Sequence, residues 1–327
     1  MQHRLDIGLV APGRGAWFEI GPAQPDPAPV AVHVARGDRD GPRCALIAGV
    51  HGDEYDGIIA AAEFAREIDR SRLRGTVVIV PVANPLAFAA AVRTTPADGK
   101  DLNRVFPGSA DGTVTERLAD LLCDRILAGA DLVMSLHGAS ATGCLAPWIE
   151  FLDDGSELGH TTLLAAEGSN FPDLVALPRL PGVLQTALAE RHIPTIEGEV
   201  GGRGGTSRAN VDYYKARIAD VLAHLGMLPS PGKPREAKRV WRLHPIMGGH
   251  AGIFVTLTNL HDDVDAGQRI GLILDGRGEV VGEVLAPAAG RVGGLRQHAG
   301  VRPGDRVASL WLPAEPAGAR GGRATPD

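Results

Sequence analysis

Cys44-Ala45-Leu46-Ile47-Ala48-Gly49-Val50-His51-Gly52-Asp53-Glu54 is an unbroken apolar run that stops at a histidine, a glycine and two acids. A run of this length without polar alternation suits a strand buried on both faces, as at the parallel centre of an α/β sheet. The next segment carries Ile58, Ile59, Ala62, Phe64 and Ile68 at helical spacing and reads as an amphipathic helix. A strand, a polar corner and a helix in that order form the repeating unit of such folds.

The same alternation continues along the chain. TVVIVPVAN (76–84) and DLVMSLH (131–137) are further buried strands, and the second again ends in a histidine. IPTIEGEV (193–200) reads as another strand. VTERLADLLCDRIL (114–127), VLQTALAERH (183–192) and RANVDYYKARIADVLAHLGM (208–227) read as helices. Upstream, GAWFEI (15–20) and VAVHVA (30–35) are short strands on either side of a Pro-rich turn. Residues 93–112 form a long loop rich in Pro, Gly and Asp, the kind that in compact domains often carries function.

At PSPGKPREAK (229–238) the texture changes, and short strands alternating with Gly and Asp turns follow. The expected fold is therefore α/β, with a mixed, largely parallel sheet and flanking helices, plus a small all-β C-terminal domain. The expected division is an α/β domain at 1–228, a linker at 229–238, a β domain at 239–313 and a disordered tail at 314–327. Within the β part, VDAGQRIGLIL and VRPGDRVASLW are half-similar phrases that suggest a duplicated hairpin.

Composition narrows the function. The 327 residues carry 33 Lys and Arg against 39 Asp and Glu, a formal charge of −6, which disfavours nucleic acid and anionic membrane surfaces as partners. Three scattered cysteines make neither a disulfide framework nor a cysteine zinc site. No apolar stretch reaches the length of a membrane span, and the N-terminus has no signal-peptide core, so the expected location is cytoplasmic.

Open α/β sheets place their sites at the carboxyl ends of strands. His51 with Glu54 at one strand end and His137 at another make two histidines and a carboxylate. That is a standard three-ligand set for catalytic zinc, with a fourth position left for water. Glu199, at a third strand end, is placed as a general base for metal-assisted hydrolysis. Glu197 shares its face of the strand, so either acid could point at the site. His160, His192, His244, His250, His261 and His298 show no ligand spacing.

GVHGDE (49–54), ANP (83–85), DLNRVFPG (101–108), LHG (136–138) and EVGG (199–202), in this order, resemble the succinylglutamate desuccinylase/aspartoacylase family, relatives of the zinc carboxypeptidases. The likeness spans roughly residues 40–313, since phrases such as GQRIG and LAPAAGRV match the family's small C-terminal β domain. It implies a zinc carboxypeptidase-like fold and one Zn²⁺ per chain held by His51, Glu54 and His137. It implies Glu199 as the catalytic base and Arg93 as an oxyanion-stabilising or substrate-binding arginine. It implies Asn103 and Arg104 as holders of a substrate carboxylate, a task that suits a planar guanidinium beside an amide. One departure stands out. Many members have an acid two residues before the second histidine, where this chain has Ser135.

The implied activity is that of a zinc-dependent amidohydrolase. It would remove an acetyl, succinyl or similar acyl group from an N-acylated amino acid or small amide by metal-activated water. The alternative is a zinc metallocarboxypeptidase acting on small peptides, because the same residues serve both. A carrier role for the β domain, which has a biotinyl-like look, is excluded because no lysine follows Lys238. The expected partner is a small N-acyl amino acid, and homo-oligomerisation is left open. The determinants of acyl group and amine fall in 139–180 and 203–212, for which the sequence offers no physical account. Arg203 in GGRGG is a weaker candidate for a substrate contact.

Overall fold

A computed structural model describes residues 5–21, 28–230, 232 and 238–315. Most of the expected linker at 229–238 and of the expected tail at 314–327 lies outside the described residues. The first part of the chain folds as β1 (Gly15–Ile20), β2 (Val30–Arg36), β3 (Arg39–Ala48), α1 (Tyr55–Glu67), β4 (Arg74–Val80) and α2 (Pro85–Ala89). Next come α3 (Val114–Asp120), which continues as a π-helical stretch (Leu121–Ile126), β5 (Leu132–His137), β6 (Gly143–Leu152) and α4 (Glu157–Gly168). β7 (Asp173–Leu177), α5 (Leu184–Ala189), β8 (Thr195–Gly202) and α6 (Arg208–His224) complete this part. The C-terminal part is all strand: β9 (Arg239–Met247), β10 (Gly252–Thr256), β11 (Asp263–Val264), β12 (Arg269–Leu274), β13 (Val280–Leu285), β14 (Gly290–Arg296), β15 (Gly300–Val301) and β16 (Arg306–Pro313).

The main sheet has twelve strands in the order β1-β2-β4-β3-β5-β8-β6-β7-β9-β16-β14-β11. It is mixed, as expected, but parallel pairing is confined to the ladders β4–β3–β5–β8 and β6–β7–β9. The flanks are antiparallel, and β6 lies between β8 and β7, antiparallel to the first and parallel to the second. Parallel neighbours need a crossover, which α1 supplies between β3 and β4. Helices on both faces bury the central strands completely. Leu46, Met134 and Leu136 pack with α1 and α6 on one side, while Ala45, Ile47 and Val133 pack with α3 and α5 on the other. That two-sided burial is why β3 and β5 read as continuous apolar runs.

The segment 139–180, unassigned by the sequence reading, holds β6, α4 and β7. Pro147 lies in β6 where the register to β8 shifts between Leu145 and Trp148, a bulge that spares the ladder the missing N–H.

The sheet does not stop at the linker. β9 pairs with β7, and β14 pairs with both β16 and β6, so these C-terminal strands extend the sheet of the α/β part. β13, β12, β10 and β15 form a separate four-stranded sheet, and a third apolar core lies among the C-terminal strands. The two half-similar phrases fold alike. In each, a short strand turns at a glycine of positive φ, Gly267 or Gly304, into a longer one.

Candidate active site

β3 ends at Ala48, and the chain then turns through His51-Gly52-Asp53-Glu54 into α1. The turn is tight against α2. A Cβ on Gly52 would stand 2.1 Å from the Ala87 carbonyl carbon, so only glycine fits there. α2 itself is fixed by Asn84, whose side chain accepts the Ala87 N–H at 3.1 Å, and by Pro85 in its first turn.

His51, Glu54 and His137 meet beneath this turn, all three buried. Glu54 lies between the imidazoles: Oε1 is 2.8 Å from Nδ1 of His51, and Oε2 is 3.1 Å from Nδ1 of His137. One ligand atom from each residue falls within 4.8 Å of the others, so the group could hold a metal ion. The remaining ring nitrogens are also engaged. Nε2 of His51 lies 3.1 Å from Oδ1 of Asp101, and Nε2 of His137 lies 2.9 Å from the Ser135 hydroxyl. Outer partners of this kind fix the rings of metal-binding histidines. Burial pushes both imidazole pKa values down, but hydrogen bonds and charge from Glu54, joined by Asp101 at His51, outweigh it and hold both raised. Burial likewise pushes Glu54 up, and the two histidines more than reverse this, keeping it ionised. Neighbours that favour a proton on the rings favour a cation in its place.

Asp101 organises the loop. Its Oδ1 also accepts the Asn103 N–H at 2.9 Å, capping the 3₁₀ turn Leu102–Arg104, and its Oδ2 accepts from Nε of Arg93 at 3.0 Å. Arg93 reaches Glu54 at 3.4 Å and Ser140 at 3.3 Å. Asn103 Oδ1 accepts the Leu184 N–H at 2.8 Å, and Arg104 donates to the Asn103 carbonyl at 2.6 Å. Arg93, Asn103 and Arg104 all line one cavity with the three ligand candidates.

That cavity, of about 430 Å³, is also lined by Glu197 and Glu199 of β8 and by Trp148 and Glu150 of β6. Its volume suits a small ligand. Leu295, Arg296, Arg306 and Ser309 of the C-terminal strands complete the wall, which ties that part of the chain to the site. His137 stands beside Glu199 in the β5–β8 register, and Glu199 stands opposite Trp148 in β6. Burial first, then the charge of Glu150, pushes the Glu199 pKa well up. Burial and Glu197 push Glu150 up to about 7, and burial raises Glu197 as well. The buried Tyr214 hydroxyl lies 2.5 Å from the His137 carbonyl and 2.8 Å from that of Gly198, tying β5 to β8 beneath the site.

The structure thus brings together all seven candidates: His51, Glu54, Arg93, Asn103, Arg104, His137 and Glu199. Arg203 is exposed and is not among the cavity-lining residues. Sequence reasoning missed Asp101 as a bridge between His51 and Arg93, although it stands within the DLNR phrase. It also missed Ser140, Trp148 and Glu150, which lie in the segment it could not assign.

Residues 40–225 match the model of the succinylglutamate desuccinylase/aspartoacylase catalytic domain. The chain is 30% identical over 293 residues to the N-alpha-acetyl-L-2,4-diaminobutyric acid deacetylase of Halomonas elongata, an alignment covering 86% of this chain and 84% of that one. Among solved structures it resembles a succinylglutamate desuccinylase/aspartoacylase from Rhodobacter sphaeroides, with a TM-score of 0.84, 26% identity and coverage of 96% and 100%. It also resembles the product-bound ectoine utilization protein EutE (DoeB) of Ruegeria pomeroyi, with a TM-score of 0.83, 27% identity and coverage of 91% and 95%. With the motif residues gathered in one cavity and the catalytic-domain match spanning more than half its length, the chain belongs to the succinylglutamate desuccinylase/aspartoacylase family.

Proposed function

We propose that this chain is a zinc-dependent hydrolase that removes an acyl group from an N-acylated amino acid. The observation that carries the reading is the buried His51–Glu54–His137 group, one strand away from Glu199 in a cavity of small-ligand size. The donor set, two imidazoles and a carboxylate with their outer faces held by Ser135 and Asp101, fits zinc. When bound, zinc supplies Lewis acidity toward the amide carbonyl and lowers the pKa of a bound water.

The chain's own residues do the rest. Glu199 takes the proton of the attacking water and hands it to the leaving nitrogen. Its burial and raised pKa make it a stronger base than an exposed carboxylate. Glu199 shares a row with His137, whereas Glu197 lies beside Ser135, one row deeper, which supports Glu199 as the base. Arg93 is half-exposed and held by Asp101, positioned to stabilise negative charge developing on the carbonyl oxygen. Arg104 and Asn103, on the capped turn, hold the substrate carboxylate.

A carboxypeptidase would use the same set. The cavity wall supplied by β14 and β16 supports the smaller substrate. The Halomonas elongata relative is named for an acetylated diamino acid, and other relatives for succinylglutamate and aspartate derivatives. The test is primary-amine release from a panel of N-acyl amino acids and short peptides, with chelator and with zinc restored. The expected result is chelator-sensitive, zinc-restored release from acyl amino acids. Release from peptides alone would replace this reading with the carboxypeptidase.

Among the described residues no helix is long and apolar enough to cross a membrane.

A further inference from the structure

Ser140 stands in the loop between β5 and β6 at a positive φ of 53°. Among the described residues six non-glycine residues have positive φ, and of these only Ser140 is buried and only Ser140 lines the cavity. Glycine adopts that conformation freely, whereas a residue with a Cβ does so against steric resistance. A serine where a glycine would be unstrained points to a use for its side chain.

The loop is held in this shape from two sides. Consecutive acids of the turn that carries the ligand candidates grip consecutive residues of the loop. Glu54 Oε1 accepts from the Ser140 hydroxyl at 3.1 Å, and Asp53 Oδ2 accepts the Ala141 N–H at 3.1 Å. From just past β8, the Gly204 N–H donates to the Ser140 carbonyl at 3.3 Å and the Arg203 N–H to the Gly143 carbonyl at 2.7 Å.

The Ser140 hydroxyl also accepts from Nη1 of Arg93 at 3.3 Å. Its single proton is committed to Glu54, so the bond from Arg93 falls on its lone pairs. A neutral oxygen thus sits between a cation and an anion. The same Nη1 lies only 3.4 Å from Glu54 Oε1, and the Glu54 side chain is buried, where opposite charges attract more strongly than in water. Asp101 holds Arg93 at Nε and leaves this edge of the guanidinium free to swing. Without the hydroxyl, the contact between Nη1 and Glu54 can close into a direct ion pair. Closure draws the guanidinium away from substrate and competes with a cation for Glu54.

We propose that Ser140 is a positioning residue, its hydroxyl parting the two charges so that Arg93 stays turned to the substrate carbonyl and Glu54 stays available to the metal. This role rests on the deacylase reading. Alanine and glycine offer no oxygen there, and the branched Cβ of threonine is crowded at positive φ.

Three substitutions in the full-length chain separate backbone from hydroxyl. Ser140→Gly removes the hydroxyl and relaxes the backbone, Ser140→Ala removes the hydroxyl alone, and Ser140→Thr keeps the hydroxyl and adds crowding. Melting of the metal-free chains reads the backbone: Ser140→Gly should melt a few degrees above Ser140→Ala, with Ser140→Thr lowest. Competition against a chelator of known affinity and turnover at saturating zinc read the hydroxyl, with the N-acyl amino acid hydrolysed fastest in the panel as substrate. Ser140→Gly and Ser140→Ala should each lose about 10–100-fold in zinc affinity and about 10–100-fold in kcat, with KM within about twofold of the parent. Ser140→Thr should stay within about tenfold of the parent in both despite its low melting temperature. In an Arg93→Ala background, Ser140→Ala should lower kcat by less than about threefold more, because its effect on turnover runs through Arg93.

Zinc affinity and kcat that follow the melting order overturn the role, as do parental kcat in Ser140→Gly and additive losses in the Arg93→Ala background. Ser140→Gly melting below Ser140→Ala contradicts the strained backbone and overturns it too. If no acyl amino acid is hydrolysed, the deacylase reading fails and zinc affinity alone decides: a loss in Ser140→Gly that Ser140→Thr restores supports the hold on Glu54, and unchanged affinity, or no zinc bound by the parent, overturns it. Should Ser140→Thr fail to fold, Ser140→Gly and Ser140→Ala decide.

Discussion

The Ser135 hydroxyl lies 2.9 Å from Nε2 of His137, on the opposite side of the ring from the Nδ1 that faces Glu54. A neutral oxygen thus does the orienting of this ring. Ser135→Ala should lower zinc affinity by about 10–100-fold, the usual cost of losing such a partner. Competition against a chelator of known affinity measures it; affinity within twofold of the parent would show that the hydroxyl does not orient the ring.

Asp101 reaches further than Ser135, because one carboxylate holds both His51 and Arg93. Asp101→Asn keeps the shape but weakens two charge-assisted contacts. kcat/KM should fall by about 10²–10³-fold, comparable to the loss of one oxyanion-stabilising donor, while zinc stays bound at saturating metal. A loss confined to metal affinity, with kcat intact, would remove Arg93 from the proposed chemistry.

Glu150 makes a prediction about stability and pH. Its pKa rises from 4.5 to about 7 on folding, burial being the first cause and Glu197 the second. The folded chain therefore binds more protons than the unfolded chain between those values, and stability falls as pH rises through that window. Glu150→Gln removes this cost. The metal-free variant should melt a few degrees above the parent at about pH 8, and the two should converge as pH falls toward 4.5. Equal melting at about pH 8 would mean that the pair is already neutralised in the free protein.

Gly52→Ala tests the packing beneath the site. The new methyl would overlap the Ala87 carbonyl, so the turn carrying His51 and Glu54 or the start of α2 must move. A loss of roughly 1–3 kcal/mol is expected, with weaker zinc binding. Chemical denaturation reads the first and chelator competition the second; an unperturbed variant would contradict the close approach.

The central strands were legible because their burial is two-sided. Cys44–Val50 and Asp131–His137 carry no polar alternation, and the residues that end them are the candidate ligands. β6 was illegible because Pro147 and its bulge break the pattern, and with β6 went Trp148 and Glu150. The change of texture after Leu228 was visible, but the pairing of β9 with β7 and of β14 with β6 joins residues far apart in sequence, which no local pattern records. His51, Glu54, His137 and Glu199 stood out as polar strand ends. The roles of Asp101 and Ser140 depend on a loop crossing the sheet, and only the folded chain displays them.

The most direct test of the central claim is Glu199→Gln, assayed for bound zinc and for turnover of an N-acyl amino acid. The account predicts about one zinc per chain and a kcat reduced by at least 10²-fold, the usual loss on removing a general base. A variant that keeps its zinc and turns over at near the parental rate would contradict it.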